Sequence, residues 1–148
     1  MAAQTKSALQ RLSSLSQSLN QVSDELSEQL AEIEKAINRF GLGVTASVTL
    51  STSGEPYGNP PTVEVEKLRY GKNSGKWGLS WVQYKEHDPD ATWDEKPLRE
   101  APRDVRLLAV KMLPHLLDEL AKNSEELAAK AATRVQEARE MAAALSQK

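Results

Sequence analysis

A long apolar seam in the last third of the chain is the feature that most constrains the fold. Between Ala101 and Lys148, apolar residues recur at steps of three, four and seven. This spacing predicts one long helix with its apolar residues along one side. A single helix cannot hide such a seam from water, so the seam requires a partner of similar length. Its members are Val105, Leu108, Met112, Leu116, Leu120, Leu127, Ala131, Val135, Ala138, Ala142 and Leu145.

The first 40 residues supply a matching helix, predicted over residues 5–40. Its seam advances by threes and fours from Leu12, with one stutter between Leu26 and Leu30, and the segment contains neither Gly nor Pro. Gly41 can adopt the left-handed conformation that ends a helix. The seam consists of Leu12, Leu15, Leu19, Val22, Leu26, Leu30, Ile33, Ile37 and Phe40.

The polar side of this first helix is neutral and rich in serine, with no charge between Arg11 and Asp24. Serine and asparagine are mediocre helix formers. The pattern has two interpretations. The helix folds only when it is packed against something, or the serine-rich side is a docking face for another protein.

Residues 43–84 carry the alternating pattern of strands. Val44, Ala46, Val48 and Leu50 alternate with small polar residues, which predicts a half-buried strand. Residues 51–61 have the composition of a loop, and residues 62–70 and 77–84 predict two more strands. Within the second strand the apolar phase changes, so a bulge near Glu66–Lys67 is expected. Local turns between the strands predict a three-stranded antiparallel meander with one apolar face.

An acidic loop is predicted over residues 85–101, followed by the second helix over residues 102–146. Pro102 suits the first helical position because its missing N–H costs nothing there. Pro114 removes a backbone hydrogen bond to Val110 and should kink the helix. Before Pro114 the helix is apolar almost all round, so we expect that part to be buried on more than one side.

These elements predict a single α+β domain. In it, two long antiparallel coiled-coil-like helices, one at each end of the chain, flank the small three-stranded meander. A two-helix coiled coil buries little area for its length, whereas two such hairpins would bury much more, so we expect a homo-oligomer, either a dimer or a larger assembly. The residues expected in the oligomer seam are Leu12, Leu15, Leu19, Val22, Leu26, Leu127, Ala131, Val135, Ala138 and Leu145.

The strongest local charge pattern is basic. Arg99, Arg103 and Arg106 are spaced to share one face at the start of the second helix. Cations oppose the dipole at a helix N-terminus, and a nearby anion would relieve that penalty. The anion is either the acidic loop of the chain itself or a bound ligand. Arg69, Tyr70, Lys72 and Lys76 in and beside the second hairpin could add to an anion site.

No pattern of residues predicts an enzyme, a metal or a cofactor. The chain has no Cys, and His87 stands beside Asp88 and Asp90 without a second His nearby. No Ser–His–Asp order or carboxylate pair on a rigid frame stands out. The absence of Cys fits a reducing compartment, so we expect a cytoplasmic protein.

The charge and hydropathy patterns exclude two classes of partner. A net charge of −2 argues against duplex nucleic acid, and no apolar run is long enough to span a membrane. The sequence therefore predicts a non-enzymatic interaction or assembly protein that oligomerises through its helices. It would contact another protein through a recognition surface on its sheet or through the serine-rich side of helix 1. The alternative is a module that binds or sequesters a small, nucleotide-like anion through the arginines at the start of the second helix.

Overall fold

The computed structural model describes residues 2–59, 61–86 and 93–147 and combines two long helices with one antiparallel sheet. In chain order the elements are α1 (Ala2–Arg39), β1 (Ala46–Glu55), β2 (Thr62–Asn73), β3 (Lys76–Glu86), β4 (Asp94–Pro97), a 3-10 turn (Leu98–Glu100) and α2 (Arg103–Ser146). The strands lie in the order β1-β2-β3-β4 and every neighbouring pair is antiparallel. The predicted α+β class is confirmed, but the sheet has four strands, so the prediction of three is wrong.

The additional strand, β4, lies within the segment that was predicted to be an acidic loop. Asp94 pairs with Gln83 and Pro97 pairs with Ser80, at the edge of the sheet beside β3. Its four residues, Asp-Glu-Lys-Pro, have no apolar alternation to indicate a strand. Charged residues and proline are common on edge strands because one side of the backbone has no strand to pair with. Residues 87–92 of the predicted loop, which include His87, Asp88 and Asp90, lie outside the described residues.

The first hairpin is longer than the predicted loop of residues 51–61 allows, because β1 continues to Glu55 and β2 begins at Thr62. Gly54 explains how the two strands approach so closely. It has a φ of 109°, and a Cβ atom there would lie 1.8 Å from the carbonyl oxygen of Thr62. Only glycine fits both the conformation and the space.

The expected irregularity occurs on the neighbouring strand. The pairing of β1 with β2 shifts between Thr49 and Ser51, opposite Lys67 and Glu66. The pairing of β2 with β3 is continuous, so β2 itself does not change phase. Because side chains alternate along a strand, Val63 and Val65 lie on the opposite face from Leu68 and Tyr70. Both faces of the sheet therefore carry buried apolar side chains, contrary to the single apolar face that was predicted.

The main core lies between one face of the sheet and the two helices. Leu68 of β2 and Leu116 of α2 are fully buried there, and Leu30 and Ile37 of α1 are each 4% exposed. Part of the α2 segment before Pro114 faces solvent, since Leu107 and Val110 are 51% and 41% exposed. The core residues are Leu30, Ile37, Ala46, Leu50, Leu68, Tyr70, Leu79, Leu98, Ala101, Val105, Ala109, Leu113, Leu116 and Leu120.

The helices contact each other directly near the start of α2. The guanidinium of Arg106 donates hydrogen bonds to Ser23 and Ser27 of α1. Seventeen residues later, or about 25 Å along the helix axis, Asn123 of α2 donates a hydrogen bond to the carbonyl oxygen of Thr45. Thr45 comes only a few residues after α1 ends at Arg39. Both helices thus run away from the Arg106 contact in the same direction.

The far end of α1 lies at the same end of the sheet as Asn123. Asn38 contacts Tyr70 of β2, and Tyr70 pairs with Ala46 at the start of β1. In an antiparallel pair, the start of α2 would instead lie beside the end of α1. The antiparallel coiled-coil arrangement predicted from the two seams is therefore not found among the described residues. Over part of each seam, the sheet takes the place of the expected partner helix.

α2 continues as one helix through Pro114. Proline lacks the N–H that would bond to the carbonyl of Val110. Both residues are exposed, so water can hydrogen-bond to that carbonyl. The helix is therefore not interrupted at Pro114, and the kink expected there stays a prediction.

Candidate functional site

Each helix extends well beyond the sheet, and these two extensions are exposed to solvent. We define the α1 arm as residues 2–22 and the α2 arm as residues 125–146. Every residue of the α1 arm is exposed, as is every residue of the α2 arm except Glu137. At 1.5 Å per residue each arm is about 30 Å long.

Each arm continues a seam that is buried elsewhere in the same helix. On α1, Leu12, Leu15 and Leu19 are 60%, 54% and 46% exposed, whereas Leu30 is 4% exposed. α2 shows the same change, since Leu120 is 3% exposed but the large apolar residues of its arm are not buried. Of the ten residues predicted to form an oligomer seam, Leu26 is partly buried and the other nine are exposed. The sheet thus covers only half of each seam.

The arms of one chain cannot cover each other. The α1 arm precedes the contact of Arg106 with Ser23, whereas the α2 arm follows the contact of Asn123 with Thr45. Because both helices run in the same direction between these contacts, the arms leave the sheet at opposite ends. Among residues 2–59, 61–86 and 93–147, nothing covers the seam of either arm.

Arg106, which was predicted to belong to an anion-binding face, has its hydrogen bonds inside the protein. Its side chain is buried, and Nε donates to the carbonyl of Ala101 at 3.1 Å. Nη1 donates to the carbonyl of Ser23 at 3.0 Å and to Oγ of Ser27 at 2.5 Å, and Nη2 donates to Oγ of Ser23 at 2.6 Å. Thus Arg106 joins the two helices, and its partners are neutral oxygens of α1 and of Ala101, two residues before α2.

Arg99 and Lys76 lie on one cavity, while Arg103 is exposed on the first turn of α2. The cavity has a volume of about 470 Å³ and is also lined by Trp77, Glu34 and Glu95. Two cations and an indole ring beside a cavity could bind a planar anion. The two carboxylates reduce the positive potential there.

The remaining residues of the predicted anion site do not converge. The Nη1 atom of Arg69 donates to Oε1 of Glu95 at 2.7 Å on the sheet face away from the helices. Tyr70 lies on the other face, where its hydroxyl donates to Oδ1 of Asn38. Burial of this side chain, and secondarily the charge of Glu34, raise the pKa of Tyr70 above its usual 10.0. Lys72 is exposed at the end of β2.

Three polar residues that fasten the helices to the sheet were missed by sequence reasoning. Oε1 of Glu34 accepts a hydrogen bond from the backbone N–H of Leu79 at 2.7 Å. The side-chain amides of Asn38 and Asn123 donate to the carbonyls of Trp77 and Thr45. In the sequence these residues look like ordinary solvent-facing helix positions.

One sequence signal could have indicated the Glu34 contact. Gly78 lies between Trp77 and Leu79 near the start of a strand, and glycine inside a strand often marks a close approach. A Cβ atom at Gly78 would lie 2.2 Å from Oε1 of Glu34. The glycine makes room for the carboxylate to reach the strand.

The sheet face away from the helices carries a small aromatic surface at its edge. The rings of Tyr84 and Trp93 stack with their centroids 5.3 Å apart, and Nζ of Lys67 lies 5.5 Å from the Tyr84 ring. Trp93 is 56% exposed. Tyr57, at the tip of the first hairpin, is almost completely exposed. Exposed aromatic side chains of this kind are common in protein interfaces.

Within residues 2–59, 61–86 and 93–147, no three His, Asp or Glu side chains are grouped so that they could hold a metal ion. Among the same residues, neither helix has the length of apolar sequence needed to cross a bilayer. No known protein family, curated protein or solved structure matches this chain.

Proposed function

We propose that this protein is a non-enzymatic assembly protein that oligomerises through the two helical arms and offers the sheet to another protein. The observation that supports the proposal most strongly is the exposure of both seams over about 30 Å each. Contiguous exposed apolar surface of this extent is typical of protein interfaces.

The physical argument concerns the stability of the arms. An isolated helix of about 20 residues is only marginally stable in water, and most helical stability in proteins comes from packing of the apolar side. The α1 arm is rich in serine, which adds to this instability. Packing of Leu12, Leu15 and Leu19 against another helix would stabilise the arm and remove its seam from water.

The sheet surface formed by Lys67, Tyr84 and Trp93 is the proposed contact for the other protein. Stacked aromatic rings beside a cation provide a large contact area with a polar edge. This surface faces away from the helices. A partner bound there would therefore leave the arms free to assemble.

The test is the molar mass of the full chain, measured by size-exclusion chromatography with light scattering over a range of concentrations. We expect a multiple of the chain mass. Introducing a charge into either seam, by Leu15→Glu or Leu127→Glu, should lower the mass. Gln17→Glu, on the opposite side of α1, should not. A strict monomer at high concentration would exclude the proposal.

The second candidate function is binding of a small anion, and it rests on the cavity that Lys76, Trp77 and Arg99 share. Thermal unfolding in the presence of inorganic phosphate and of nucleotides tests it. If this site binds an anion, Tm rises with the anion and Arg99→Ala abolishes the rise. If none of these anions changes Tm, the cavity has no such role.

A further inference from the structure

We infer that the α1 arm pairs antiparallel with the α1 arm of a second copy of this chain. This inference rests on the proposed function and specifies one of its interfaces. The observations that carry it are the exposed seam, the distribution of charge along α1, and a single helical register that satisfies both.

The available seam of α1 ends where the rest of the protein begins to cover it. Leu12, Leu15, Leu19 and Val22 are all close to half exposed or more. Leu26 is partly buried, and the next seam residue, Leu30, is in the core. A partner helix therefore has about three turns of large apolar residues to contact, centred between Leu15 and Leu19.

Charge along α1 is strongly polarised. The only charged residues in the arm are Lys6 and Arg11, both basic, and both lie towards its tip. The next charged residues are Asp24, Glu25 and Glu28, which are acidic and exposed where the arm joins the sheet-covered part of the helix. None of these five forms an ion pair among the described residues.

This polarity selects an antiparallel partner. A parallel pair would place the basic residues of the two tips side by side. It would also place the acidic residues at the sheet ends of the two arms side by side. An antiparallel pair places the basic tip of each arm beside the acidic residues at the sheet end of the other arm. The neutral serine-rich stretch of one copy then lies beside that of the other, so no like charges meet in the centre of the pair. Flanking charges of this kind determine the orientation of paired helices.

One antiparallel register satisfies the seam and the charges together. When Leu15 lies opposite Leu19 of the second copy, Leu12 lies opposite Val22, and each pair occurs twice because of the two-fold axis. In the same register Arg11 lies beside Glu25 of the second copy, at a position that flanks the seam. All four seam residues from Leu12 to Val22 then have an apolar partner.

The position of the arm permits this pairing. Because the α1 arm leaves the sheet at one end, a two-fold axis at the level of Gln17 puts the two sheets at opposite ends of the helix pair. The contact is isologous, so it closes as a dimer. In the α2 arm, charges of both signs are interspersed between residues 125 and 140, including Glu126, Lys130 and Glu137, so they select no orientation.

Disulfide cross-linking provides the direct test, because the natural chain contains no Cys. Full-length Leu12→Cys protein is mixed with tagged full-length Val22→Cys protein and oxidised. We expect a mixed disulfide and little disulfide within either population. A second mixture, Ala8→Cys with Leu19→Cys, covers the register one heptad closer to the tip. Gln17→Cys, on the opposite side of α1, is the control and should remain reduced.

A charge-reversal series provides an independent readout of orientation. Arg11→Glu alone should raise the dimer dissociation constant about tenfold, because the two-fold axis makes two attractive pairs repulsive at once. Adding Glu25→Arg should restore it to near the natural value. Gln17→Glu should change it little. Failure of the second charge reversal to restore affinity would contradict the pairing of these two side chains.

The outcomes separate this inference from the proposed function. Disulfides within the Leu12→Cys and the Val22→Cys populations would show a parallel pair and overturn the inference. An oligomer without a mixed disulfide in either mixture would show that the α2 arm or another surface is used, which overturns the inference and leaves assembly intact. A protein that is monomeric by light scattering would overturn both.

Discussion

Replacing Arg106 with alanine would test most directly how the two helices are joined. Its guanidinium donates to two serine hydroxyls and two backbone carbonyls, and its side chain is only 9% exposed. No carboxylate is among these acceptors. The charge is therefore stabilised in the folded state by the hydrogen bonds themselves.

The expected loss of stability follows from the number and setting of these bonds. A hydrogen bond to a charged group contributes about 1.5–3 kcal/mol. The four bonds share one donor group and are not additive, and the two serines are half-buried, so water can reach them after truncation. We expect Arg106→Ala to lower the free energy of unfolding by about 2–4 kcal/mol. For a chain of this length the corresponding fall in Tm is roughly 5–15 °C.

Urea unfolding at one fixed protein concentration measures the effect, with Trp fluorescence reporting the sheet and circular dichroism reporting the helices. Arg103→Ala is the matched control, because Arg103 is exposed and lies one turn earlier. It should change stability by less than about 0.5 kcal/mol. Ser27→Ala should cost about 1 kcal/mol, since Nη1 keeps its bond to the Ser23 carbonyl. Equal stability of Arg106→Ala and Arg103→Ala would refute the joining role of Arg106.

Three further predictions concern the contacts between the helices and the sheet and within the first hairpin. Gly78→Ala should displace Glu34 from the N–H of Leu79 and lower the free energy of unfolding, measured in urea, by roughly 2 kcal/mol. A variant as stable as the natural chain would show that this hydrogen bond contributes nothing. Gly54→Ala should cost at least about 2 kcal/mol because backbone blocks the new Cβ, and Gly43→Ala, which has a positive φ but open space, should cost less. Because burial raises the pKa of Tyr70 in the folded state, its contribution to stability is complete below pH 10.0 and falls as pH rises through the raised value. Tyr70→Phe should therefore flatten the decline of Tm above pH 10.0. An unchanged decline would show that ionisation of Tyr70 does not cause it.

Elements with strong local patterns were predictable, and the element without one was not. The α1 helix was predicted over residues 5–40 and occupies Ala2–Arg39, and α2 was predicted over residues 102–146 and occupies Arg103–Ser146. Both have long apolar repeats and clear ends. β4 has only hydrogen bonds to β3 to define it, so its sequence carries no signal of its own.

The predicted binding residues show why sequence proximity is a weak guide to a site. Arg69 and Tyr70 are adjacent in the chain, but the pleat of β2 puts them on opposite faces of the sheet. Arg99, Arg103 and Arg106 share a helical spacing, but Arg106 is buried and hydrogen-bonds to α1, whereas Arg99 and Arg103 are exposed. The acceptors of Arg106 are Ser23 and Ser27, about 80 residues earlier, and no local pattern identifies them.

The sequence by itself determined the two helices, the presence of the first three strands and the course of the apolar seams, because these depend on spacing, glycine and proline over short distances. Only the tertiary structure decided what covers the seams. A seam specifies that something apolar must pack on it, but not whether that is a helix, a sheet or another molecule. Here the sheet covers Leu30 and Leu120, and both arms are left exposed because the helices run in the same direction.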